Sequence, residues 1–177
     1  SAIDASALGL LDAEIALRSG PVQSDFATID AARGTLVIDR ARAVLSLAEL
    51  RAFDGRATGE LVANNRSGLS VGGNVVLESV ALLPLLRQAT GFERLSGTGA
   101  AQLRFLGVGQ SVDAIMRSLS GEGSLALGQG EIIGLDLAGM LRNLDMSYMG
   151  EGNRTIYDSL GGTFSIANGV LSNTDLR

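Results

Sequence analysis

The chain of 177 residues contains neither cysteine nor histidine. Without histidine there can be no Ser-His or Cys-His nucleophile pair, and the usual zinc and non-haem iron sites lose their main ligand. Without cysteine there can be no disulfide framework and no thiolate metal site. We therefore expect a protein that is not an enzyme and that binds no metal and no cofactor.

Aromatic residues and positive charge are also scarce. Aromatics make up 4% of the chain against 46% hydrophobic residues, so apolar burial must come from Leu, Ile, Val and Ala. The formal net charge is −5 and no basic stripe occurs, which makes nucleic acid an unsuitable partner. A run of about 18 apolar residues, the length of a membrane span, is missing as well.

The most informative pattern present is an alternation of apolar with mostly polar residues. Such a period of two indicates β-strands with one buried face, and it is typical of an antiparallel sheet whose other face is exposed to solvent. The 24 glycines, against 2 prolines, indicate that the chain turns often through glycine. The alternating apolar positions include Leu11, Ala13, Ile15 and Leu17, then Leu69, Val71, Val75 and Leu77, then Leu103 and Phe105, Leu125 and Leu127, and Phe164 and Ile166.

An internal repeat supports a meander of hairpins. Residues 123–137 align without gaps with residues 162–176, and a looser copy begins at Gly34. Each copy predicts a strand, a short turn and a returning strand. The turns are expected at Gly128-Gln129-Gly130 and at Ala167-Asn168-Gly169, where Asn-Gly is a strong hairpin signal.

Helical signals are few and short. Apolar spacing predicts helices near 81–89, 111–119 and 135–146, the second with Ser111 as its N-cap and the first with Pro84 in its first turn. The polar segment 147–159 is expected to be a loop. The resulting fold class is mainly β with a few short helices (α+β), a curved antiparallel meander of some nine strands with one apolar, groove-like face.

Three motifs that could carry chemistry have simpler interpretations. Gly68-Leu69-Ser70-Val71-Gly72 spells the nucleophile elbow of α/β-hydrolases, but it lies within an alternating strand and no histidine base exists. The Gly-x-Gly strings at Gly97 and Gly107 open no helix and are typical of turns or bulges. Asp136 and Asp175 recur in the repeat after an apolar strand, where capping a turn or helix start is favoured over catalysis.

The apolar face is the one feature with functional content. Same-parity residues on consecutive strands are expected to share it and to contact acyl chains, unless it is the core of an ordinary closed sandwich or barrel. The candidate lipid-contacting residues are Leu69, Val71, Val75, Leu77, Leu103, Phe105, Leu125 and Leu127.

An ordered series of short strings resembles the C-terminal region of AsmA-like proteins. The series starts with Leu95-Ser-Gly-Thr-Gly, continues through Ser111-Val-Asp and Ser118-Leu-Ser-Gly-Glu-Gly, and reaches Gly130-Glu-Ile-Ile-Gly-Leu-Asp-Leu-Ala. The resemblance is clearest over 80–177, while 1–79 fits as leading hairpins. The chain is thus expected to be a single module, 1–177, of a longer protein.

The resemblance implies a periplasmic protein anchored to the inner membrane of a Gram-negative bacterium by a helix outside this chain. Such proteins are similar to bridge-like lipid-transfer proteins, with curved sheets that form a hydrophobic groove. Phospholipid, or another acyl-chain lipid, is the partner that this implies, in lipid transport or outer-membrane assembly. The alternative is a structural or docking domain with a closed core that binds outer-membrane assembly proteins and no lipid.

Overall fold

A computed structural model describes residues 3–10, 12–23, 28–91, 93–135 and 149–177. Long strands dominate, joined mostly by tight turns. They are β1 (Ala13–Ser19), β2 (Val22–Gln23), β3 (Thr28–Asp39), β4 (Arg42–Ala52), β5 (Gly55–Asn64), β6 (Ser70–Ala81), β7 (Leu95–Val108), β8 (Ser120–Leu135), β9 (Met149–Tyr157), β10 (Leu160–Ala167) and β11 (Val170–Asn173).

All these strands form one open, curved antiparallel sheet. Its order is β1-β3-β4-β5-β6-β7-β8-β10-β11, with β2 also paired to β3 and β9 also paired to β8. Because neighbours in the sheet follow one another along the chain, the fold is the predicted meander, with eleven strands among the described residues where the sequence indicated some nine.

Positive-φ residues make the tight turns possible. Arg40 and Ala41 adopt φ of 44° and 60° between β3 and β4, and Phe53 and Asp54 adopt 53° and 60° between β4 and β5. Such paired left-handed residues match the twist of a hairpin. The predicted turn at Asn168 is confirmed, with φ of 52° there and 76° at the following glycine.

Two short α-helices follow β6 and β7. Helix α1 (Leu82–Thr90) holds Pro84 in its first turn and ends at Gly91 in the left-handed conformation. Helix α2 (Val112–Ser118) begins at Ser111, whose hydroxyl accepts a hydrogen bond from the Ala114 amide at 3.2 Å. The first two predicted helices and the Ser111 cap are therefore confirmed. The third, predicted over 135–146, lies outside the described residues except for Leu135, which ends β8.

The predicted turn at Gly128-Gln129-Gly130 is wrong. Strand β8 runs unbroken from Ser120 to Leu135 because β7 pairs with it on one side along nearly its whole length. On its other side β10 pairs with the first half and β9 with the second, so partners exist on both sides at Gly130. Ladder hydrogen bonds outweigh the local turn preference of a Gly-x-Gly string.

The predicted loop over 147–159 is also wrong for most of its length. Met149–Tyr157 forms β9, which continues in line with β10 along the same edge of β8. The Tyr157 hydroxyl donates a hydrogen bond to the Ser96 carbonyl, and burial raises the pKa of that phenol. This polar segment forms a strand because the backbone of the second half of β8 pairs with it.

Few side chains are deeply buried in the described part of the chain. Seven hydrophobic residues make up its core, and no polar residue is buried. These seven are Ala43, Ala52, Ala57, Leu69, Val80, Leu82 and Leu127. No helix in the described ranges is long and apolar enough to cross a membrane.

Candidate functional site

The strand register determines which side chains share a face of the sheet, because directly opposite residues of an antiparallel pair point the same way. Across β6 and β7, Val75 lies opposite Leu103 and Leu77 opposite Ala101. Across β7 and β8, Ala101 lies opposite Leu125 and Gly99 opposite Leu127. The residues proposed from the sequence can therefore be placed one by one.

Seven of the eight candidate lipid-contacting residues lie on one face within paired strands: Val71, Val75, Leu77, Leu103, Phe105, Leu125 and Leu127. The eighth, Leu69, directly precedes β6, and its carbonyl accepts a hydrogen bond from the Gly109 amide at 2.9 Å. Leu69 and Leu127 are almost fully buried, with 2% and 4% exposure, while the other six are half-buried.

The same face continues through the N-terminal strands and to the last strand. Its members there are Ala13, Ile15 and Leu17 of β1, Gly34, Leu36 and Ile38 of β3, Ala43, Leu45 and Leu47 of β4, Gly59, Leu61 and Ala63 of β5, Phe164 and Ile166 of β10, and Leu171 of β11. Together with the seven candidates on paired strands, we call these residues the apolar face. None of them is charged.

Sequence reasoning left the N-terminal and C-terminal parts of this face out of the candidate site. The signal that could have included them is the same alternation, present in Ile15 and Leu17, in Leu36 and Ile38, and in Phe164 and Ile166. Only the register shows that these separate alternations fall on one side of one sheet. The site is thus a continuous surface nine strands wide rather than a patch on three strands.

Aromatic rings lie over glycines on this face. A Cβ added to Gly123 would meet the Phe164 ring at 2.4 Å, and one added to Gly73 would lie 3.3 Å from the Phe105 ring. Each ring covers the backbone that its glycine neighbour leaves bare, an arrangement known to support glycines in sheets. Phe105 and Phe164 therefore lie low on the sheet and form part of the floor of the apolar face.

The two ends of the apolar face are covered, and Asp175 and Leu176 lie over Gly162 beside Leu125, whereas no described helix covers the strands in its middle. At one end Ile115 of α2 packs over Gly107, and the segment 3–10 reaches across, with the Ile3 amide bonded to the Gln110 carbonyl at 2.9 Å. At the other end α1 packs against β6 and β7, near the buried Val80 and Leu127. The seven buried residues accordingly form two small clusters with a half-exposed apolar strip between them.

The opposite face, which we call the polar face, carries the charges, although a row of apolar side chains also crosses it: Val37, Val44, Val62 and Leu106. Arg33 pairs across the strands with Glu49 at 3.3 Å, and Arg104 lies 3.8 Å from Glu122. Two clefts of about 510 and 370 Å³ lie against this polar face, lined mainly by its side chains from β5 to β11. Ser70 of the elbow-like string sits at the start of β6 opposite Val108, within a strand and not at a strand-to-helix turn.

Asp175 has the capping role that its sequence position indicated. Its carboxylate accepts hydrogen bonds from the amide and the hydroxyl of Thr163 at 2.8 and 2.9 Å, and from Asn173 at 2.9 Å. These bonds, chiefly the one from the Thr163 amide, lower the pKa of Asp175. They tie the C-terminal residues to β10. Its repeat counterpart, Asp136, lies outside the described residues.

Comparison with known protein families identifies the chain's family. The model of the AsmA family matches residues 4–176, nearly the whole chain. No curated protein and no solved structure matches the chain.

Proposed function

The chain belongs to the AsmA family, and from this membership we propose that it is a non-enzymatic module of the cell envelope whose apolar face contacts the acyl chains of phospholipid or a similar lipid. The proposed setting is the periplasm, in a protein anchored to the inner membrane. There the module would serve lipid transport or outer-membrane assembly.

One observation carries this proposal: a face whose strand residues are uncharged crosses nine strands, and the described elements leave the side chains in its middle only partly buried. A contiguous apolar patch that is left partly uncovered is typical of a binding surface. The face is also open along the sheet, so a long flexible ligand could lie on it. Acyl chains have that shape and need no polar partner.

The energetics of such binding are favourable without any specific contact. Burying an acyl chain yields roughly 0.8 kcal/mol per CH₂, so a dozen methylenes would contribute on the order of 10 kcal/mol before ordering costs are subtracted. Because the hydrophobic effect is not directional, the surface would hold many lipids with similar affinity. This accounts for a binding protein in which no site motif is visible.

A docking domain that binds envelope assembly proteins and no lipid is the second candidate. The observation that favours it is the pair of clefts on the polar face, where hydroxyl and amide groups such as Ser124, Thr163 and Asn74 could meet a protein partner. The two candidates use opposite faces of the same sheet. A test directed at one face can therefore separate them.

Two neighbouring substitutions on opposite faces provide that test. Phe105→Glu places a charge in the middle of the apolar face, and Leu106→Glu places the same charge on the polar face, where Leu106 is 49% exposed. The protein and both variants would be purified without detergent, extracted with organic solvent and examined for phospholipid by mass spectrometry. Circular dichroism and thermal unfolding would establish that each variant is folded.

We expect phospholipid in the parent protein and in Leu106→Glu, and much less in folded Phe105→Glu. An acyl chain over residue 105 would have to desolvate the carboxylate, which is costly. Absence of lipid from the parent, or normal lipid in folded Phe105→Glu, would contradict the proposal. If Phe105→Glu unfolds while Leu106→Glu does not, position 105 belongs to a closed core and the docking candidate is favoured.

A further inference from the structure

The larger cleft on the polar face, of about 510 Å³, is lined by hydroxyl and amide side chains. Its hydroxyl residues are Ser124 of β8, Thr163 and Ser165 of β10, Ser172 of β11 and Thr174 just after it. The register places them side by side, because Ser124 lies opposite Thr163 and Ser165 lies opposite Ser172. We call this the hydroxyl cleft.

Most of these polar groups have no hydrogen-bond partner within the described part of the chain. The Thr163 hydroxyl bonds to the Asp175 carboxylate at 2.9 Å. The others form no side-chain hydrogen bond with a described residue: Asn74, Gln102, Ser124, Ser165, Ser172 and Thr174. Because a hydroxyl donates one hydrogen bond and accepts two, the cleft offers an array of unused donors and acceptors.

The charges of the hydroxyl cleft balance. Arg104 and Glu122 are the charged residues that line it, and they lie opposite one another on β7 and β8 with 3.8 Å between guanidinium and carboxylate. A site for phosphate or nucleic acid would need an excess of positive charge. The cleft is therefore suited to a neutral ligand.

Among the described residues, no apolar side chain points into the hydroxyl cleft. Leu103, Gly123 and Phe164 border it, but the register puts their side-chain positions on the apolar face, so they line the cleft with backbone. A protein partner usually anchors through an aromatic or apolar side chain in a pocket. This cleft offers no such pocket, which leaves ligands that are rich in hydroxyl groups.

From these observations we propose that the hydroxyl cleft binds a neutral oligosaccharide. Sugar hydroxyls both donate and accept, so they can pair with the serine, threonine and amide groups of the cleft. Arg104 would donate to one sugar hydroxyl and Glu122 would accept from its neighbour, in charge-assisted bonds. The volume lies within the range of small-molecule sites, roughly 300–1,000 Å³. The proposal does not depend on lipid binding, which uses the opposite face.

The smaller cleft would extend the site. It shares Asn74 and Arg104 with the hydroxyl cleft and continues across β6 towards β4. Val62 and Leu106 lie on either side of Gly72 in its floor, where a Cβ on the glycine would be 3.3 Å from the Leu106 side chain. A sugar ring carries C–H groups on its faces, which can pack on such a floor while its hydroxyls reach the polar rim. A chain of several sugar rings therefore suits the two clefts together.

NMR titration with neutral sugars tests the proposal. The ¹⁵N-labelled chain would be titrated with maltotetraose, cellotetraose and chitotetraose, which differ in linkage and ring substituents. At least one should shift the amide signals of Ser124, Thr163 and Ser165 and leave those of Leu36 and Leu45, on strands outside the hydroxyl cleft, in place. Glycerol at the same concentration of hydroxyl groups controls for a general polyol effect and should not produce these shifts.

Two matched double variants locate the site. Ser165→Ala with Ser172→Ala removes two opposite hydroxyls from the cleft and keeps the charge. Affinity for the tetrasaccharide should fall by roughly tenfold, since two hydrogen bonds are lost. The control is Thr35→Ala with Ser46→Ala, an opposite hydroxyl pair of β3 and β4 outside the cleft, which should bind like the parent.

Ser124→Leu adds a steric test. Ser124 lies between Gln102 and Thr163, so a leucine there fills the cleft and should abolish binding in a chain that thermal unfolding shows to be folded. If Ser124→Leu does not fold, the double serine variant decides. A parent that binds none of the tetrasaccharides, equal shifts with glycerol, or parent-like affinity in these variants would overturn the proposal. Their phospholipid content should equal that of the parent, so the two proposals can fail separately.

Discussion

At the level of single residues, aromatic side chains pack over glycines of the sheet, which have no side chain of their own to make contacts. The Phe164 ring covers Gly123, and the Tyr157 hydroxyl lies against both Gly97 and Gly130. Gly59 adopts a φ of +146°, and a Cβ there would lie within 2.1 Å of the Asn74 carbonyl oxygen. Glycine at this position therefore reflects close packing of β5 against β6 and not a turn.

Asp175 provides a residue whose contribution varies with pH. Its folded pKa is lowered by hydrogen bonds from Thr163 and Asn173. Because the folded pKa lies below the unfolded one, the stabilisation is present above about pH 4 and is lost as the pH falls through the folded pKa. We expect the C-terminal residues to detach from β10 on acidification.

Asp175→Ala should produce the same detachment at neutral pH. The Thr163 amide loses its acceptor, and the Gly161 amide, bonded to the Arg177 carbonyl at 2.9 Å, should open with it. Hydrogen exchange measured by NMR should show both amides exchanging faster than in the parent. The Ile133 amide, bonded to the Arg94 carbonyl at 2.8 Å, is the internal control and should not change. Unchanged protection at Thr163 would show that Asp175 holds nothing in place.

At the level of secondary-structure elements, β8 organises the C-terminal half of the sheet. It pairs with β7 on one side and with β9 and β10, placed end to end, on the other. A single strand of sixteen residues thereby replaces the hairpin that its glycines indicated. Strand β8 extends past the end of β10. The polar segment Met149–Tyr157 pairs with this extension and is therefore a strand.

Tyr157→Phe tests how β9 is held. The substitution removes the hydrogen bond to the Ser96 carbonyl and keeps the ring over its glycines. We expect a loss of about 1 kcal/mol in the free energy of unfolding, the usual net value of such a bond. Urea denaturation would measure it, and amide exchange in β9 should rise more than in β4. If stability and exchange in β9 stay as in the parent, the hydroxyl does not anchor this strand.

At the level of the whole molecule, the described residues form a single layer with small cores at its two ends. Such an arrangement buries less apolar surface than a two-layer domain, in which each face packs on another. The half-exposed strip between the ends is therefore the part of the sheet with the most to gain from a ligand. Stability and ligand occupancy should be coupled in this protein.

Removal of lipid tests that coupling. A ligand that binds the folded state alone stabilises it by RT ln(1 + [L]/Kd), about 2.7 kcal/mol at a hundredfold excess over Kd. We expect the delipidated chain to unfold at a lower temperature than the lipid-loaded chain and to recover when phospholipid is added back. Folded Phe105→Glu should show no such recovery, whereas Leu106→Glu should. Equal melting temperatures with and without lipid would count against a ligand on the apolar face.

The sequence alone predicted most of the strands, the meander, the first two helices and the family resemblance. It also placed Leu103 and Phe105 on one apolar side, and it identified the turn at Asn168 and the Ser111 cap. These features depend on neighbours within a few residues: alternation follows from the pleat, and caps and Asn-Gly turns follow from local hydrogen bonds and φ preferences.

Tertiary structure decided what depends on partners far along the chain. Gly128-Gln129-Gly130 continues a strand because β7 and β9 lie beside it, and segment 149–157 is a strand because β8 extends past β10. The width of the apolar face likewise follows from the register of the sheet. A local pattern states which side of a strand is apolar, but hydrogen bonds between distant strands determine how those sides join into one surface.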